Sequence, residues 1–556
     1  MTVSHENPPT AAEVHAELAR RRRRRRRWLL AAVVLLPLVA ILALWLPSLA
    51  VRREVQAELA RIAAAGEPVT AADVDRMYVA DTGGPEATRR WLAALDQLKL
   101  SGLRAKAVDL PIVGQVTDEI PPPGQPWGEL AAAQQLLLDH QELLDEMHAA
   151  AAEAGVCRYP IDLTQGFAAL LPDVEWIREA LRVFQLEVHV RAHEGDAHGA
   201  VRAIEAMHRV GETLADEPLL VSQLVRIACL TTTHATIREI VPHVELTPED
   251  RAVLEALLAS EDFGAPLRRA MLGERAVGSS AFDDPAVLAG GGVDPSGLVL
   301  ALWRATRWRD EQLYLQYMGA LIEATDLPIS EALAATDQAV EHLESTIDGG
   351  NALAKFRYFM TRMVAPSLGA VIDARGRAEA SRDATLVVLA IDQFRRAQGR
   401  LPASLDELVP DFLPAVPLDP FDGQPLRYAL RSAIEGAGQG EQAAAEAAVA
   451  ATATEYRLYS VGRDRVDNGG NDESQDYVFV TWPAADREPD EEDASEVASD
   501  DASDAAPDNA AGDGALDAPD DSAGEAAAAP RADAGDSSQP SEGEPPACQV
   551  DDAVPQ

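Results

Sequence analysis

The chain has 556 residues and a formal charge of −43, from 48 basic and 91 acidic side chains. That length allows roughly two to four domains with a sizeable core, and so acidic a surface repels nucleic acid and anionic lipid while attracting cations. Cys157, Cys229 and Cys548 lack the spacing of a zinc knuckle or redox centre. The first two are read as buried small residues, to be paired only in an oxidising compartment.

Arg20–Arg27 are consecutive arginines, and Trp28–Val51 follow without a charge. As a helix this apolar run rises about 36 Å, enough for a hydrocarbon core of about 30 Å. Only Arg52 and Arg53 follow it. The positive-inside rule therefore predicts a single-pass protein of the inner membrane. Residues 1–27 form a cytoplasmic Arg-rich N-terminus, 28–51 the transmembrane helix, and the bulk of the chain is extracytoplasmic (periplasmic). The apolar run is too long for a cleavable signal peptide, and Pro47-Ser48-Leu49-Ala50 is a poor cleavage site.

Residues 52–373 are predicted to form an irregular antiparallel helical array, so the fold class is mainly α. Thr70 and Asp73 read as a capping box, and Pro121-Pro122-Pro123-Gly124 as a break. Ile177, Leu181, Phe184 and Val188 make one helical stripe. Gly195-Asp196 ends that helix, and a second runs from Ala197 to about Leu214 with Val201 and Ile204 inward. Pro218 opens a third, in which Leu219, Leu220, Val221, Leu224, Val225 and Ile227 are expected to be buried. Thr247-Pro248-Glu249-Asp250 is a helix start: an N-cap, a proline in the first turn, then acids. No clean tetratricopeptide period is present.

Residues 273–297, with Gly290-Gly291-Gly292, read as a long loop. Helices are expected to resume at Leu298, with breaks near Pro328, Gly349-Gly350 and Pro366. A last long helix, about Arg375 to Gln398, carries Leu386, Leu389, Ala390 and Phe394 as its packing stripe. His189 and His193 stand one helical turn apart, with His198 beyond the turn. Such a pair can ligate zinc, but no H-E-x-x-H accompanies it, so these are read as ordinary helix histidines. Asp81-Thr82-Gly83 matches a protease tripeptide only by chance, and no G-x-S-x-G, P-loop or G-x-G-x-x-G occurs. Catalytic residues: none; cofactor-binding residues: none. The phrases Gly66-Glu67-Pro68-Val69-Thr70, Glu194-Gly195-Asp196 and Asp216-Glu217-Pro218-Leu219-Leu220 resemble the helical ectodomain of a group of planctomycete-type membrane-anchored proteins. That resemblance implies shared architecture and no activity.

Residues 374–483 are predicted as a small α+β domain. Ser404 and Glu407 read as a capping box for a short helix, Leu405 to Val409. Asp419-Pro420-Phe421-Asp422-Gly423 is turn chemistry. Gln424–Leu430, Glu455–Val461 and Gln475–Trp482 read as a three-stranded antiparallel sheet, with residues 432–454 a mobile insert. Residues 486–556 hold 22 acidic and 2 basic side chains. The segment 484–556 is accordingly read as a disordered acidic tail.

Gly399-Arg400-Leu401-Pro402, Pro417-Leu418-Asp419-Pro420-Phe421-Asp422-Gly423, Tyr428 and Leu458-Tyr459-Ser460-Val461-Gly462-Arg463-Asp464 resemble the globular domain of the major pseudopilin of type II secretion systems. The resemblance implies a long helix packed on a small sheet, and one calcium ion in the loop 462–476. Asp464 matches the family's first acidic position and Asp476 the acid opening its final strand; Asp467 and Asp472 are further candidate ligands. Hard Ca²⁺ prefers such oxygen donors. Arg465 stands where the family has Gly, and Phe421 where it usually has Trp. The apolar span lacks the prepilin Gly and Glu, so pilin processing is not implied. The expected function is a non-enzymatic scaffold or binding protein of the cell envelope. Its partners would be envelope proteins, with no nucleic acid and no small-molecule substrate identified. The alternative is a membrane-anchored hydrolase with its site in the helical domain.

Overall fold

The computed structural model describes residues 49–78, 84–117, 119–153, 155, 157–163, 173–283, 297–349, 357–431, 453, 455–470 and 475–481. The predicted span, except for residues 49–51, lies outside them. So do Asp81-Thr82-Gly83, nearly all of the insert 432–454, and the tail. Among the described residues no helix is long and apolar enough to cross a membrane.

The chain enters through α1 (49–64), α2 (Ala71–Met77), α3 (Gly84–Leu100), α4 (Leu103–Lys106), α5 (Leu130–Asp139) and α6 (Gln141–Glu153). Thr70 and Asp73 form the predicted capping box of α2. Then α7 (Val174–His193), α8 (Ala197–Glu212) and α9 (Leu220–Ile240) pack together. The stripe Ile177, Leu181, Phe184 and Val188 is buried in the largest core, joined by Val201 and Ile204. Gly195 takes a positive φ of 76° to turn the chain. Asp196 then caps α8 by accepting the Gly199 N–H at 2.9 Å.

The expected burial along α9 holds for Leu219, Leu220, Val225 and Ile227 but not for Val221 and Leu224, which are 46% and 37% exposed. With Ala228, also exposed, they follow the i, i+3, i+7 spacing of one outward helical face. An apolar run does not reveal which of its members face a neighbour.

Further along come α10 (Pro248–Ser260), capped by Thr247 as predicted, and α11 (Gly264–Ala281). The predicted loop from 273 is corrected here: α11 continues through Gly273 and Gly278. A Cβ at Gly273 would stand 1.9 Å from the Pro218 carbonyl oxygen, and one at Gly278 would stand 2.1 Å from Tyr314 Oη. These glycines allow close packing rather than a turn. Next are α12 (Gly297–Ala324), α13 (Ile329–Asp348), α14 (Phe359–Leu368) and α15 (Val371–Gln398). Pro366 lies inside α14 instead of breaking it, and the helix stops two residues later. The break beside Pro328 is present, because α13 starts there.

A 3₁₀ turn at Leu405–Leu408 follows, with both leucines buried. The predicted capping box does not form, since the Ser404 side chain makes no cap bond. Glu407 instead accepts the Ala403 N–H at 3.3 Å and an Arg400 guanidinium N–H at 2.8 Å. Strands β1 (Arg427–Leu430), β2 (Tyr456–Ser460) and β3 (Tyr477–Val480) form the expected antiparallel sheet in that order. The Tyr428 hydroxyl donates to the Pro402 carbonyl at 2.9 Å, bringing two quoted sequence phrases together.

α15 is the spine. Leu389 belongs to the core of the helical body. Val387, Val388, Ala390, Ile391 and Phe394 pack with Leu405, Leu408, Leu426 and Leu458 of the sheet region. Ile372 and Ala380 join α12, α13 and Phe421 in a third core. The single stripe expected on this helix is thus divided among cores on different faces. Gly376 makes room for Phe421, whose ring would stand 2.8 Å from a Cβ there.

Candidate functional site: a cleft between a helix pair and a strand

Where α9, α15 and β3 meet, they leave an open cleft of about 510 Å³. Leu224 and Ala228 of α9 form one wall, residues Asp476 to Phe479 the other, and Arg377 and Ser381 of α15 the floor. That volume lies within the range of ligand-binding clefts.

Arg238 sits at one end, one helical turn beyond His234 on α9. Its Nη1 donates to the Ser381 carbonyl at 3.2 Å, the Ser381 hydroxyl at 3.0 Å and the Thr385 hydroxyl at 2.7 Å. The guanidinium lies 5.4 Å over the Phe479 ring, and its Nε is buried without a hydrogen-bond partner. Burial pulls its pKa down to about 10, opposed by the neighbouring Glu239, so it stays charged at neutral pH. Neither its hydrogen bonds nor any ion pair among the described residues joins it to a carboxylate. Glu239 itself approaches His189, at 3.5 Å. Arg377, by contrast, is paired with Asp373 at 3.2 Å and lies over the Tyr477 ring.

Behind Arg238 runs a buried relay. Ser381 Oγ is 3.3 Å from His234 Nδ1, and His234 Nε2 is 2.9 Å from both oxygens of Glu261. Burial works to raise the Glu261 carboxyl, but His234 and His208 outweigh it and hold it at about 2. Burial lowers the His234 imidazole, against the pull of Glu261. The ionised carboxylate only accepts, so the network assigns the imidazole proton to Nε2, leaving Nδ1 to accept from Ser381. The hydrogen bonds then point one way, from the Arg238 cation through Ser381 and His234 to the Glu261 anion.

The connectivity is that of a Ser-His-Glu triad. Ser381 nevertheless lies in the interior of α15, where the following backbone N–H groups are committed to helix hydrogen bonds. The usual pair of free backbone donors for an oxyanion is missing at this serine. What the arrangement does is hold a guanidinium at a fixed position on an open cleft.

The four predicted calcium ligands fare differently. Asp464 accepts the Val466 N–H at 3.1 Å. Asp467 accepts the Gly469 N–H at 2.9 Å and the Tyr459 hydroxyl at 2.8 Å, with Arg427 3.6 Å from its other oxygen. Asp476 accepts the Asn468 and Gly470 N–H groups at 3.1 and 2.8 Å. Asp472 lies outside the described residues. Each described carboxylate therefore uses an oxygen to shape its own loop. Arg465 adopts a positive φ of 59° at the family's glycine position and donates to the Ser330 carbonyl at 2.6 Å. Among the described residues no group of three or more His, Cys, Asp or Glu is arranged to hold a metal.

The helix histidines go separate ways. His193 donates through Nδ1 to the His189 carbonyl at 2.8 Å, and His198 meets Asp250 at 2.8 Å. Cys157 and Cys229 are buried and unbridged.

The sequence reading missed Arg238, His234, Glu261 and Ser381, which are scattered over 147 positions. The available signal was weak: two polar pairs at i, i+4, His234 with Arg238 and Ser381 with Thr385, in helices that carry many other polar and charged residues. Comparison with protein-family models finds no matching model, and comparisons with curated proteins and with solved structures find no match either.

Proposed function

We propose that the protein is a membrane-anchored, extracytoplasmic binding protein of the cell envelope that holds an anionic group of an envelope partner in the cleft between α9, α15 and β3. Arg238 carries this reading. Nearby arginines such as Arg251 and Arg377 each meet an aspartate, whereas Arg238 is fixed by neutral hydroxyls and a carbonyl. A positioned cation with no carboxylate bonded to it and only Glu239 as a nearby negative charge, in a chain of charge −43, suits an incoming anion. The anchoring half of the proposal rests on Arg20–Arg27 and the apolar run after it. The link to secretion machinery rests on the pseudopilin resemblance of one domain, which is an analogy.

The test uses the purified full-length chain in detergent, titrated with fluorescent acidic and basic peptides. Acidic peptides should bind preferentially. Arg238→Gln should weaken them about ten- to a hundredfold, the worth of a charge-assisted hydrogen bond. Equal affinity in the variant would sink the reading.

The Ser381–His234–Glu261 relay favours one second reading, the hydrolase. That reading expects a fluorophosphonate to label Ser381; the binding reading expects the serine to stay unmodified. The pseudopilin resemblance also keeps calcium at the 464–476 loop as a proposal. Calorimetry on the full chain checks it, and absence of heat at millimolar Ca²⁺ removes it.

A further inference from the structure

We propose that the partner enters the cleft as an extended polypeptide segment and adds a fourth strand to the sheet along the free edge of β3. The proposal rests on the reading that the cleft takes an anion, which supplies the charge on that segment.

Strand order puts β3 at the edge of the sheet, and among the described residues no strand pairs with its outer side. Its sequence, Tyr477-Val478-Phe479-Val480, carries none of the lysines, prolines or inward charges that blunt an exposed edge. The cleft wall is formed by successive residues, Asp476 through Phe479. Side chains alternate along a strand, so a cleft against one face would meet every second residue. Three successive strand residues, 477 to 479, line the cleft, which fits a cleft that follows the strand edge, with the Tyr477 and Phe479 rings turned to Arg377 and Arg238.

The remaining surfaces suit a peptide. Across from β3, Leu224 and Ala228 on the outward face of α9 offer apolar contact to alternate side chains of an inserted strand. Arg238, over Phe479, stands at one end to meet an acidic side chain. Main-chain pairing would supply affinity, and the apolar wall with the cation would supply selection. The occupant is therefore an extended segment alternating apolar and acidic residues.

The experiment uses the full-length protein and an eight-residue peptide alternating valine and glutamate, with anisotropy as readout. Two further peptides carry N-methyl groups on one or the other set of alternate amides. Strand addition expects one set to lower affinity at least tenfold and the other to leave it nearly unchanged, because only one edge of the added strand faces β3. Amide exchange at 477–480 should slow at alternate positions when the parent peptide binds. Equal effects of the two methylated sets, or no binding of the parent peptide, would overturn the proposal. Arg238→Gln separates the two readings. Loss of Arg238 dependence with the one-sided effect retained removes the anion site and leaves strand addition standing. Arg238 dependence with equal methylation effects does the reverse.

Discussion

The carboxylate of Asp419 accepts three hydrogen bonds from two parts of the chain: the Phe421 N–H at 3.0 Å, and the Ser460 hydroxyl and Val461 N–H, each at 2.9 Å. The residue is fully buried. Burial pushes its carboxyl up, with the three donors opposing. Asp419→Ala leaves these donors without an acceptor, and a loss of about 3–4 kcal/mol is expected; urea unfolding measures it. The sequence already marked Asp419 as a turn former, through its bond to Phe421. Its bonds to Ser460 and Val461 span more than forty residues, and no local pattern announces them.

Glu217 gives a pH dependence. It is buried, accepts the Tyr78 hydroxyl at 3.1 Å, and is surrounded by Tyr78, Tyr159, Ser222 and Asp173. Burial raises its carboxyl to about 7, Asp173 adding to the effect while Ser222 and Tyr78 oppose it. Between its ordinary 4.5 and 7 the folded chain keeps a proton that the unfolded chain has released. This group's contribution to stability is therefore full below 4.5 and falls as pH rises through 7. Glu217→Gln should be more stable than the parent at pH 8, by of order 2 kcal/mol, with the gap closing below pH 4.5. Paired urea midpoints at the two pH values decide it. The parent losing no ground at pH 8 would refute the assignment.

At the scale of elements, α11 shows where composition misleads. Gly273 and Gly278 lie near a Gly- and Asp-rich stretch, and such stretches read as loops. The glycines are selected instead by Pro218 and Tyr314, which come from other parts of the chain. An exposed helix Gly→Ala change gains about 1 kcal/mol. Gly278→Ala should instead destabilise the protein by about 2–3 kcal/mol, as overpacking does. The Tyr314 hydroxyl has little freedom to retreat, because it donates to the Glu274 carbonyl at 2.8 Å. Thermal unfolding by circular dichroism measures the effect, and part of the loss should return in a Tyr314→Phe background. The α9 face teaches the complementary point. Apolar periodicity located the helix, but Val221 and Leu224 lie outward because the neighbours of α9 leave that side open.

For the whole molecule, α15 ties the helical body to the sheet. Its residues sit in all three large cores. Removing the sheet would uncover Val387, Ile391 and Phe394, and melting the body would uncover Leu389. The helical body and the sheet should therefore unfold together. Amide exchange along a urea series should show α7, α15 and β2 losing protection at one midpoint. Separate midpoints for α7 and β2 would refute the coupling.

By itself the sequence determined the helix-dominated class, the stripe of α7, the Thr70 and Thr247 helix starts, the three strands and the Asp419–Gly423 turn. These depend on interactions within a few residues, or on the hydrophobic period of one element. Only the tertiary structure decided the packing glycines of α11, the open face of α9, the division of α15 among three cores and the cleft itself. The cleft is made by Arg238, Ser381 and β3, which meet through long-range packing. Arg238 is held by Ser381 and Thr385, with His234 and Glu261 buried behind Ser381, and such a relay leaves no spacing along the chain from which to read it.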